Sequence, residues 1–191
     1  MKLIETLSFM LLAMAVAVTA QNPVLDTSGE PLRRGAEYYI KPAITDNGGR
    51  FTLIDRNGSC PFYVGQENSS AAKGLPVTFE PFFKEENIVR ERRDFKVSFA
   101  AVTVCVQSTT WQLDGELIST GDDGAGFNNY FHISPGQVES TYFMGWCPQD
   151  PCLPADCSWF RCGQVGAIVE NGKRLLVWDG NPAIPVVFER A

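Results

Sequence analysis

The single histidine, His132, is the one side chain in this sequence whose ordinary pKa lies near neutrality, where a general base is needed. It stands between Phe131 and Ile133 in an alternating run, which reads as a structural strand position. Neither a Gly-x-Ser-x-Gly elbow nor a His-Glu-x-x-His helix accompanies it, so the usual acyl-transfer and zinc-protease signatures are missing. Paired carboxylates could do glycosidase work, and the pairs available are Glu85-Glu86, Asp122-Asp123 and Asp114 with Glu116. Adjacent acids in charged or Gly-rich segments read instead as solvated loop positions. The turn from Gly121 to Gly126 also lacks the ligand spacing of a helix-loop-helix calcium site. The chain is therefore expected not to be an enzyme and to need neither a metal nor another cofactor.

Thiol chemistry is the remaining candidate. Of six cysteines, Cys60 and Cys105 stand alone, whereas Cys147, Cys152, Cys157 and Cys162 crowd a short Pro-containing stretch. Four clustered thiols could hold zinc, but the gaps here are wider than the usual two-residue knuckle. An even count in a chain addressed to an oxidising compartment favours disulfides. If Cys60 pairs with Cys105, the closed loop removes roughly 4 kcal/mol of unfolded-chain entropy, and a Cys147–Cys162 bridge roughly 3. Spacing alone leaves the connectivity open.

These residues must be positioned by strands. Short apolar or aromatic runs alternate with Gly, Pro, Asn and Asp clusters from residue 23 onward. Strands are predicted at Tyr38–Ile40, Phe51–Ile54, Phe62–Val64, Val77–Phe79, Phe95–Phe99, Val102–Val106, Tyr130–Ile133, Tyr142–Met144, Val165–Val169, Leu175–Val177 and Pro185–Phe188. Asn171-Gly172 is the clearest hairpin turn. The segment from Lys84 to Arg93 is rich in helix formers but has no apolar stripe, so no helix is expected there. Many short strands with regular turns read as a sandwich or a barrel. No repeat of residue identity is visible, although a threefold barrel can recur without recurring letters.

The chain has 191 residues and a net charge of −6. Residues 1–20 read as a signal peptide, with an apolar run from Leu7 to Val18 that is short of the roughly 20 residues a membrane span requires. Residues 21–191 read as one domain, expected to be secreted to the apoplast or carried on to a vacuole. Asn57-Gly58-Ser59 and Asn68-Ser69-Ser70 are glycosylation sequons that fit exposed loops, making Asn57 and Asn68 candidate glycan sites. Nucleic-acid partners are disfavoured by the acidic balance, and a membrane span is disfavoured because no later run is long enough to supply one. The basic run Arg90-Glu91-Arg92-Arg93 is broken by acids and reads as a solvated strand end.

Three stretches resemble the plant Kunitz (soybean trypsin inhibitor-type) family. They are Val24-Leu25-Asp26 through Gly35-Ala36-Glu37-Tyr38-Tyr39-Ile40, then Cys105-Val106-Gln107-Ser108-Thr109-Thr110-Trp111, then Gly163-Gln164-Val165-Gly166 with Lys173-Arg174-Leu175-Leu176-Val177. The likeness is strongest toward miraculin-like members. It implies a disulfide-stapled, all-β trefoil of about twelve strands with pseudo-threefold symmetry. It also implies the pairings Cys60–Cys105, Cys147–Cys162 and Cys152–Cys157. The implied mechanism is inhibition of serine endopeptidases through an exposed substrate-like loop, by a monomer, with Phe82, Phe83, Lys84, Glu85 and Glu86 in that loop and Lys84 filling the specificity pocket. Where the inhibitors carry a loop-bracing Asn the chain has Arg34, too large for a compact amide bridge. The alternatives implied by the same family are a non-inhibitory miraculin-like, lectin-like or storage and defence protein that binds carbohydrate, or inhibition of cysteine or aspartic proteases through another surface.

Overall fold

Alternation in the sequence becomes alternation of burial in the computed structural model. In the run Phe95–Phe99 the side chains of Phe95, Val97 and Phe99 are buried while Lys96 and Ser98 turn outward. The structure describes residues 21–44, 48–105, 107–121, 126–152 and 161–191. The expected signal peptide, Asp122-Asp123 and Cys157 lie outside them.

The described strands fall into three strand–hairpin–strand units. The first is β1 (Glu37–Pro42), the hairpin β2 (Phe51–Ile54) with β3 (Tyr63–Gln66), and β4 (Val77–Pro81). The second is β5 (Phe95–Phe99), β6 (Trp111–Asp114) with β7 (Leu117–Thr120), and β8 (His132–Pro135). The third is β9 (Tyr142–Trp146), the short β10 (Gly163–Gln164), β11 (Gly166–Glu170) with β12 (Lys173–Val177), and β13 (Pro185–Arg190). The outer strands of the units form a ring: β1 pairs with β4 and β13, β4 with β5, and β9 with β8 and β13. The bridge Phe95↔Phe131 closes the remaining gap between β5 and the start of β8. The three hairpins cap one end, each touching the other two through Leu175↔Gly65, Tyr63↔Ser119 and Val177↔Leu117. This is a β-trefoil, and β10 is its one strand beyond the expected twelve.

Aromatic rings fill the barrel. Trp111 is fully buried, with ring centroids of Phe51, Phe99 and Phe131 at 6.0, 5.5 and 5.9 Å. Phe79 meets Phe95 at 5.3 Å and Phe188 at 5.7 Å, both edge-on, the arrangement the ring quadrupole favours. Asn171 and Gly172 both have positive φ, at 50° and 75°, as a tight turn matching the strand twist requires, and they set Glu170 opposite Lys173.

One expected strand does not form, and one hairpin forms that the sequence did not suggest. Of the expected strand Val102–Val106, the described residues Val102 to Cys105 form no strand: Val102 and Val104 are exposed, and Cys105 is bonded to Cys60, while Val106 lies outside the described residues. Its β-branched residues suit a strand, but among the described residues no strand pairs with them. Conversely, the β6–β7 hairpin turns at Gly115, with φ of 64°, between short runs that are too polar to register as strands.

Replacing Trp111 by Ala removes the ring shared by these three neighbours and should cost about 3–5 kcal/mol. The urea midpoint of the oxidised protein measures it; a change within 1 kcal/mol, roughly the level of a surface substitution, would contradict this account of the core.

Candidate functional site

The segment joining β4 to β5 leaves the barrel where Pro81 faces Phe95, and its first amide, Phe82 N, donates to Asp94 O at 2.9 Å. The outgoing arm is held by rings: Phe82 packs edge-on against Tyr130 at 5.3 Å and against Phe83 at 5.0 Å. Lys84 and Glu85 stand exposed at the tip, in a turn closed by Glu86 N donating to Phe83 O at 3.1 Å. The return arm pairs with the N-terminal segment, as Arg34 N donates to Asn87 O, Val89 N to Leu32 O and Val24 N to Val89 O.

That N-terminal segment is itself fixed by the residues of the opening motif. Asp26, 2% exposed, accepts from the amides of Ser28 and Glu30 at 2.8 and 3.0 Å. The buried Tyr38 uses its hydroxyl to accept from Arg33 N at 3.0 Å, which sets the neighbouring Arg34.

Arg34 makes no compact amide bridge, but its longer fork braces the loop. Nη2 donates to Pro81 O at 3.0 Å and to Phe83 O at 2.8 Å, and Nε donates to Glu86 O at 3.0 Å. Nη1 reaches Glu80 Oε1 at 3.4 Å. A guanidinium carries five N–H donors in one plane, so one side chain serves carbonyls on both sides of the Lys84–Glu85 bond.

The bridges Cys60–Cys105 and Cys147–Cys162 are present, with Cα separations of 5.7 and 4.6 Å. Cys152 is also disulfide-bonded, and its expected partner Cys157 is outside the described residues. With Cys147 and Cys162 committed to a bridge, no zinc cage can use them. Asn57 and Asn68 are both exposed, and Asn68 Nδ2 donates to Gly172 O at 2.9 Å.

His132 lies on β8, where burial pushes its pKa down to about 4. Its Nδ1 is buried with no hydrogen-bond partner among the described residues. Asp94, beneath the loop, is 2% exposed, and burial pushes its pKa up to about 6 although Gln149 N and Asp150 N donate to its Oδ2 at 2.5 and 2.6 Å. The open cleft of about 650 Å³ beside it is lined by Arg92, Asp94 and His132 and not by Lys84 or Glu85. The loop tip, Lys84 and Glu85, is exposed and lies outside this cleft.

The trefoil is the fold shared by the Kunitz-type inhibitors of known structure. The legume Kunitz family of trypsin and protease inhibitors matches residues 24–190, and the chain belongs to that family. It is 45% identical over 190 residues to Kunitz type trypsin inhibitor 104 of Medicago truncatula, covering 94% of this chain and 92% of that protein. Miraculin of Synsepalum dulcificum is 32% identical over 188 residues, covering 88% and 84%. The solved rice bifunctional alpha-amylase/subtilisin inhibitor superposes with a TM-score of 0.76 at 31% identity, covering 90% of this chain and 100% of that one. These relatives, miraculin aside, carry the names of inhibitors rather than of enzymes.

Two outcomes follow from this geometry. Arg34→Ala strips a donor from three loop carbonyls and should speed limited proteolysis within 81–87 about tenfold, with little change in the urea midpoint. Asp94 binds its proton more tightly folded, near pH 6, than unfolded, near 3.8. Its contribution, on the order of 2–3 kcal/mol, is full below about pH 4 and lost as pH rises through about 6. The wild-type urea midpoint should fall over that window relative to Asp94→Asn; parallel profiles would refute the assignment.

Proposed function

We propose that this protein is a secreted inhibitor of serine endopeptidases that offers the Lys84–Glu85 bond as a substrate-like loop. The observation that carries this reading is the exposed tip flanked on both sides by carbonyls bonded to Arg34. A loop ordered before binding loses little entropy on entering a cleft, and its two halves stay adjacent if the bond between them is cut. Lys84 is the residue for the specificity pocket, because it is exposed whereas the Phe83 ring is covered by the Arg93 guanidinium at 4.5 Å. A lysine suits the trypsin-like pocket, which has an acid at its base. Glu85 is exposed just beyond it, favouring proteases whose cleft is basic on that side.

The signal segment 1–20 and the exposed sequons at Asn57 and Asn68 support passage through the secretory route, to apoplast or vacuole. The protein acts as a monomer in this reading, since none of its described cysteines is free.

A second reading has one observation in its favour. The Glu86 N to Phe83 O bond curls the tip, and a substrate-like extension must break it. A protein that keeps this turn closed retains the scaffold for other binding, as a carbohydrate-binding or miraculin-like protein or as an inhibitor of another protease class.

Titration of the purified, oxidised protein against trypsin, chymotrypsin and subtilisin separates the two. Stoichiometric inhibition of trypsin that is lost in Lys84→Ala is the expected result. Inhibition that survives the substitution moves the site away from Lys84, and no inhibition of any of the three leaves the second reading.

A further inference from the structure

The run Arg90-Glu91-Arg92-Arg93, read from the sequence as a solvated strand end, does not behave as one at its last residue. The Arg93 guanidinium carbon stands 4.5 Å from the Phe83 ring centroid, and Nη2 lies 3.7 Å from Glu86 Oε1. Its Nε is 3.1 Å from Asp150 Oδ2, an ion pair too bent to be a hydrogen bond. The side chains are 26% and 10% exposed, so the contact is sheltered.

Asp150 is in turn held in place. Its Oδ2 accepts from Asp94 N at 2.9 Å, while its own amide donates to Asp94 Oδ2 at 2.6 Å. Gln149 N adds a bond to the same oxygen. Asp94 also belongs to the base of the loop, because its carbonyl accepts from Phe82 N. Asp150 opens the short turn Asp150–Cys152, just past Cys147, whose bridge to Cys162 ties this segment down.

We infer that Arg93 is a second positioning residue of the loop, gripping Phe83 and Glu86 from outside while Asp150, docked on Asp94 in the segment stapled by Cys147–Cys162, fixes the guanidinium. The inhibitory consequence rests on the function proposed above; the mechanical coupling does not. Each contact of a partly exposed arginine is weak alone. Their effect comes from placement: Phe83 and Glu86 are the two ends of the tip turn, and both are also gripped by Arg34 from inside. Two neighbouring carboxylates at Asp94 and Asp150 supply the charge that draws the cation toward the loop base. The distant disulfide thus contributes to loop order without touching the loop.

The test is amide hydrogen exchange by NMR on the oxidised protein, without any protease. The amides of Phe82 and Glu86 are hydrogen-bonded and report on the loop, and that of Val97 reports on the barrel. Arg93→Ala should accelerate the loop amides about tenfold and leave Val97 unchanged. Asp150→Asn should accelerate them less, and the double variant should exchange no faster than Arg93→Ala alone. Arg93→Lys, which keeps the cation, should recover part of the protection and remains readable if Arg93→Ala does not fold. Replacing Cys147 and Cys162 together by Ser should accelerate the same amides. Unchanged exchange at Glu86 in Arg93→Ala, or effects of Arg93 and Asp150 that multiply independently, would overturn the coupling. If the protein inhibits trypsin, cleavage at Lys84–Glu85 should also quicken in Arg93→Ala. Cleavage that stays constant while exchange changes would overturn the inhibitory role of Arg93 and leave the coupling standing.

Discussion

A β-barrel is held by closure: every strand of the ring must find a neighbour on each side, or a row of unpaired amides and carbonyls is left at an edge. Here the last strand meets the first over Tyr38↔Arg190 to Pro42↔Val186, and the bridge Phe95↔Phe131 completes the other seam. Buried rings then line the interior, and the three hairpins seal one end by touching each other. With closure achieved by the outer strands, the segments between the units are released from structural duty. The connection from β4 to β5 uses that freedom to project.

Projection alone would leave a floppy loop, so the chain spends polar groups on it. The guanidinium of Arg34 lies inside, bonded to carbonyls at Pro81, Phe83 and Glu86. That of Arg93 lies outside, against the Phe83 ring and the Glu86 carboxylate. Neither would hold its position unaided. Arg34 follows from Tyr38 and the pairing of its own amide with Asn87 O, and Arg93 follows from Asp150. Order at the tip is therefore borrowed from the barrel on one side and from a disulfide-tied segment on the other.

Period-two alternation made most of the barrel legible in the sequence, with Phe51–Ile54 and Phe95–Phe99 read at their observed bounds. Asn171-Gly172 was equally readable, since few residues tolerate positive φ in succession. What misled was local propensity without a partner: Val102 to Cys105 has the right side chains but, among the described residues, no strand beside it, whereas the β6–β7 hairpin is short and polar on one side. The threefold arrangement was hidden because a repeat of geometry needs only apolar character at corresponding positions. At the loop, a resemblance located the tip, but the sequence could not show that a larger residue at position 34 would reach three carbonyls, or that Arg93 would leave solvent for Phe83. Those facts depend on contacts between residues some fifty positions apart for Arg34 and on a carboxylate in another unit for Arg93.

The pairing of β13 with β1 also sets the order in which the molecule can be made. A growing chain holds the first strand of its ring, β1, long before the last, β13. Until β13 is made, β1 has one side unpaired, and no fragment lacking β13 can seal the barrel. Contacts of such sequence separation are slow to form, because the intervening chain must be brought together first. Closure of the ring thus waits on β13, and a chain cut short before that strand would carry an open, sticky edge into whatever surrounds it.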